Sequence, residues 1–97
     1  MDTQFYIVLT LKTCKGPESF AKFFIGNNRD RAYAIFRKLK GTDKVNEKNI
    51  LYIDFIETKG GLPVNLKMIT CTLNQLAENC RLITKELFKL SNLEESG

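Results

Sequence analysis

The chain has 97 residues, a net charge of +4 and 43% hydrophobic residues, enough for one core and too apolar for a disordered chain. It contains no histidine, which excludes Ser-His and Cys-His nucleophile pairs, histidine general bases and histidine metal ligands. Its three cysteines, Cys14, Cys71 and Cys80, cannot all pair within one chain and form no C-x-x-C motif of redox or zinc type.

Residues 4–12 alternate, with Phe5, Ile7, Leu9 and Leu11 on one side and Tyr6, Val8, Thr10 and Lys12 on the other, the period of a strand. Cys14-Lys15-Gly16-Pro17 reads as a turn, and a second strand is expected at about 19–25. Asn27 or Asn28 can cap a helix by accepting from a free first-turn amide; Asn27 with Asp30 is a weak capping-box variant. Ala32, Ile35, Phe36 and Leu39 form its apolar stripe, Arg37, Lys38 and Lys40 suit its negative end, and Gly41 is expected to stop it. Residues 42–49 are a polar linker. Strands at 50–58 and 63–71 flank Gly60-Gly61, a two-residue primed turn. Thr72 and Gln75 make a capping box for a last helix from Leu73 to about Leu90, with Asn92 to Gly97 expected to fray.

The order ββαββα implies an α+β two-layer sandwich: one domain over 1–97, a four-stranded, mainly antiparallel sheet, and two helices on one face. The halves, about 4–41 and 50–91, form a sparse pseudo-repeat at an offset of 46, where Tyr6-Ile7 matches Tyr52-Ile53 and Pro17 matches Pro63. Continuous hairpin registers pair Lys12 with Glu18 and Asp54 with Lys67, and place Met68 and Leu66 among the core residues. The expected core is Phe5, Ile7, Leu9, Phe23, Ile25, Leu51, Ile53, Phe55, Leu66 and Met68.

The sheet face that the helices leave uncovered is then expected to carry Tyr6, Val8, Thr10, Phe20, Phe24, Ile50, Tyr52, Ile56 and Ile69, against Lys22, Asp54, Asn65 and Lys67. An open antiparallel face is normally more polar, and a large apolar patch marks an interface or a ligand site. The interface candidates are Tyr6, Val8, Phe20, Phe24, Ile50, Tyr52, Ile56 and Ile69. The last helix repeats Leu73, Leu76, Cys80, Ile83, Leu87 and Leu90 at heptad spacing, too briefly for a coiled coil, so this stripe is assigned to the sheet. Leu82 and Phe88 fall off it.

Catalytic candidates are weak. Asp54 interrupts an apolar strand without a second catalytic group beside it, and its structural role would be the cross-strand pair with Lys67. Cys14, in a turn near Lys12 and Lys15, is the one plausible nucleophile or redox site, but it lacks a histidine base. Cys71 is placed on the open face and Cys80 on the helix seam. Phosphate-loop, dinucleotide and calcium-loop spacings are missing, and no cofactor or metal is expected. The basic residues Arg29, Arg31, Arg37, Lys38, Lys40, Lys44 and Lys48 make residues 29–48 a modest basic segment, and Tyr6, Phe24 and Tyr52 would suit base stacking.

The favoured expectation is a small non-catalytic binding or regulatory module, homodimeric through the open face, with another protein as a further possible partner. The alternative is single-stranded RNA or DNA binding through the aromatic face or the 29–48 segment. No stretch suits a membrane span, and the N-terminal residues lack a signal-peptide pattern; free thiols point to the cytoplasm.

Overall fold

A computed structural model describes residues 3–44 and 50–96, with side chains as far as Lys89. The elements are β1 (Thr3–Thr13), β2 (Gly16–Phe24), α1 (Arg29–Arg37), β3 (Leu51–Lys59), β4 (Leu62–Cys71) and α2 (Leu73–Ser96). They form the expected ββαββα sandwich. The sheet order is β2-β1-β3-β4 and every pairing is antiparallel. Alternation from the sequence leaves this order open; the long apolar strands β1 and β3 take the two central places, where both neighbours can bond to them.

Each edge strand carries a bulge. The β1–β2 register pairs Leu9 with Ala21 but Thr10 with Ser19, so Phe20 is the extra residue. The β3–β4 register pairs Ile56 with Asn65 but Phe55 with Lys67, so Leu66 is the extra one. The two bulged positions are 46 apart, the same offset that relates the two halves of the sequence. A bulge shifts every later pairing by one, so the continuous registers fail beyond it. Lys12 opposes Pro17 rather than Glu18, and Lys67 opposes Phe55 rather than Asp54.

The shift in β4 also exchanges faces. Ile69 and Cys71 oppose Ile53 and Leu51 and pack on the core side, whereas Met68 opposes Asp54 on the open side and is 38% exposed. The expectations for Ile69, Cys71 and Met68 are thereby reversed. Lys67 moves to the helix side, 5.9 Å from the Tyr33 ring. The other expected core residues are buried or packed against the core. Its centre is Phe55, stacked on Phe36 at 5.0 Å and met edge-on by Tyr33 at 4.9 Å.

Three element ends, the start of β2 and the ends of α1 and α2, differ from the expected bounds by more than a residue. Strand β2 starts at Gly16, so Pro17 lies in an edge strand, where a missing amide is tolerated. The first turn is Cys14-Lys15, closed by the Thr13 hydroxyl donating to the Gly16 carbonyl at 2.7 Å. Helix α1 is capped by Asn28, whose side-chain oxygen accepts from the Arg31 amide at 3.1 Å. The helix ends at Arg37 with Lys38 as its C-cap, four residues before the expected stop.

Gly41 has another role: a Cβ there would lie 2.5 Å from the Thr70 carbonyl. That close approach lets Thr42 exchange two backbone bonds with Thr70, at 2.9 and 2.8 Å, on the outer edge of β4. The expected linker 42–49 lies mostly outside the described residues.

The capping box of α2 forms reciprocally between Thr72 and Gln75. Helix α2 runs to Ser96, past the expected fraying point. Ile83 is fully buried, and Leu76, Cys80 and Leu87 pack beside it. Leu73 stands 72% exposed instead of joining that stripe, and Leu90 lies outside the described side chains.

Candidate functional site

Both helices cover the Phe55 side of the sheet, so the opposite side is open. Because β1 and β3 alternate without interruption against each other, their even-numbered residues build the floor of that side. Tyr6 opposes Ile56, Val8 opposes Asp54, and Thr10 opposes Tyr52. On β2, Phe24 lies level with Tyr6, Lys22 with Val8, and Ser19 with Thr10.

The apolar part of this face is aromatic and lies towards β2. Tyr6 and Phe24 are 5.4 Å apart, and the Lys22 ammonium stands 4.3 Å over the Tyr6 ring. Phe24 is 49% exposed and Phe20, pushed out by the bulge, 52%. Tyr6, Val8, Phe20, Lys22 and Ile56 line an open depression of about 490 Å3. A second, of about 310 Å3, is lined by Thr10, Tyr52, Asp54 and Met68 with Lys12 and Pro17.

The candidate interface residues divide as follows. Tyr6, Phe20, Phe24, Tyr52 and Ile56 share the open face, and Ile50 is exposed at its end, where its carbonyl accepts from the Lys12 amide. Val8 lies there too but is already buried, as is Thr10, because longer neighbours close over the centre of the face. Ile69 belongs to the core side. Met68 replaces it, and only the bulge, which alternation does not reveal, could have pointed to that exchange.

Asp54 sits in the middle of this face. Its carboxylate accepts from the Thr10 hydroxyl at 3.3 Å and from the Asn65 amide at 3.1 Å. The Lys67 partner expected for it is on the other side of the sheet. Among the described residues no cation lies within ion-pair distance of Asp54. Glu57, on the helix side, instead faces Arg29 at 3.9 Å.

The basic segment lies with the helices. Lys38 binds Glu86 of α2 at 2.7 Å, and that bond, with a nearby Lys89, holds the Glu86 carboxyl below its usual range. Arg31, Arg37, Lys40 and Lys44 are exposed, and Lys48 lies outside the described residues. The aromatic face and the basic helix are therefore on opposite sides of the sheet. Of the thiols, Cys14 stands apart, exposed in the first turn, while Cys71 is buried and its thiol pushed up by that burial and by the neighbouring Cys80.

Asn79 is not marked by any motif in the sequence. It is fully buried in α2, accepts from the Lys40 amide at 2.7 Å and donates to the Lys40 carbonyl at 2.8 Å. A polar residue on the apolar side of a helix is the only trace of that role in the sequence.

Among the described residues, no group of three or more cysteine, aspartate or glutamate side chains is placed to hold a metal ion, and no helix is long and apolar enough to cross a membrane. Compared with protein-family models, curated proteins and solved structures, the chain matches none significantly.

Proposed function

We propose that the protein is a non-catalytic interaction module that self-associates as a homodimer through the open face of its sheet. The carrying observation is on the face that neither helix covers: exposed Phe24 packs against half-buried Tyr6, and Phe20 stands exposed further along β2. Exposed aromatic side chains contribute large favourable burial when a partner covers them.

The sheet edges favour this route over edge pairing. Strand β2 carries Pro17, a bulge and Lys22; β4 carries Pro63, a bulge and Lys67, with Thr42 bonded to its outer side. Proline, lysine and bulges each discourage a further strand from adding to an edge. The non-catalytic reading is supported by the lack of histidine and by Asp54 being held by neutral side chains. Three free cysteines suit a reducing, cytoplasmic setting.

Sedimentation equilibrium tests the reading. The wild-type mass should rise from 11.1 kDa towards twice that value with concentration. Phe24→Lys and Tyr52→Lys should remain monomeric with unchanged circular dichroism. A wild type that stays monomeric into the high micromolar range refutes it.

A second reading has one observation in its favour, the adjacent Tyr6 and Phe24 rings with the Lys22 ammonium over Tyr6, an aromatic and basic surface of the kind on which bases stack. It requires binding to single-stranded RNA or DNA that weakens steeply with salt. The basic helix, on the far side of the sheet, cannot join that platform.

A further inference from the structure

Resting on the homodimer reading, we propose how the second copy docks. The twofold axis runs nearly parallel to β1 and passes over Val8, so that Lys22 of each copy pairs with Asp54 of the other. The argument starts from the register. Val8 opposes Lys22 on one side and Asp54 on the other, so the three residues form one row across β2, β1 and β3. Strand spacing puts the two charges about 10 Å apart, one on each side of Val8.

Two copies packed face to face are related by an axis lying between the sheets, and such a contact uses the same patch twice. An axis along the strands over β1 keeps each row at its own level and exchanges its two sides. Lys22 then faces Asp54, Phe24 faces Ile56, and Ser19 faces Tyr52, so charge meets opposite charge and apolar meets apolar. An axis across the strands over the same point sets Lys22 on Lys22 and Asp54 on Asp54. An axis shifted to the middle of the sheet covers Asp54 with β1 of the other copy, leaving a carboxylate against Val8. Both alternatives bury charge without a counter-charge, which is strongly unfavourable.

The surface relief agrees with the first axis. Phe20 lies on β2 between the levels of Val8 and Thr10. Exchange of sides carries it over Tyr52 and Asp54 of the other copy, into the depression of about 310 Å3 bounded by Thr10 and Met68. The bulge that raises Phe20 thus forms a knob, and each copy supplies a hole. Strand β4 stays at the rim. The contact is small, so the dimer should be concentration-dependent rather than permanent.

Charge reversal tests the docking separately from dimerisation itself. Lys22→Asp and Asp54→Lys, each alone, would create two like-charge contacts and should weaken the dimer at least about tenfold. An equimolar mixture of the two should form a heterodimer, since every reversed charge then meets its opposite. The double variant K22D/D54K should dimerise like the wild type. Asp54→Asn, which keeps the side-chain shape, guards against misfolding of Asp54→Lys and should weaken the dimer while leaving the thermal midpoint nearly unchanged at dilutions where the wild type is monomeric. Dimeric single variants, or a mixture without heterodimer, overturn this docking and leave the homodimer reading standing. A monomeric wild type overturns both.

Discussion

Asn79 shows how much one side chain can hold in a fold this small. Its amide closes both hydrogen-bonding groups of Lys40, joining the chain after α1 to α2. Asn79→Ala leaves both backbone groups without that partner, and it should cost about 2–3 kcal/mol in urea unfolding. The neighbouring link is electrostatic. Lys38 and Glu86 join the two helices, and the lowered Glu86 pKa means the folded state binds its proton less readily than the unfolded chain. The resulting stabilisation is present above the ordinary glutamate range, near about pH 4.3, and is lost as pH falls through the lower folded-state value. Wild type and Glu86→Gln should therefore differ in thermal midpoint at neutral pH and converge in acid. Neither contact is legible in the sequence, because each joins residues far apart along the chain.

At the scale of elements, local signals carried most of the fold. The Gly60-Gly61 hairpin, the Asn28 cap and the Thr72–Gln75 box all appear in the structure, since each depends on residues within a few positions. The departures come from the bulges and from tertiary contacts. One inserted residue in β4 moved Ile69 and Cys71 into the core side and Met68 out of it, and nothing in an alternating pattern marks where pairing skips. Helix α1 stops early while the chain continues to its bond with Thr70, so Gly41 serves that crossing rather than the helix end. Gly41→Ala should destabilise by about 1–3 kcal/mol, as overpacked sites do. It should also speed amide exchange at Thr70, whose amide donates to Thr42. Exchange at Thr70 matching the wild type would show that the crossing tolerates a side chain.

For the whole molecule, the sequence indicates an apolar sheet face but overstates its extent. Val8 and Thr10 are covered by their own neighbours, and Ile69 is absent from the face. What remains is an aromatic cluster on one half, a carboxylate at the centre, and edges ill-suited to strand addition. Helix α2 offers a competing surface, since Phe88 is 67% exposed beside Thr84 and Lys85. A dilution series followed by heteronuclear NMR separates the two most directly. The account requires signals of Tyr6, Val8, Phe24 and Ile56 to shift with concentration while those of Thr84 and Phe88 stay fixed. Shifts confined to α2, or none at any concentration, would contradict it.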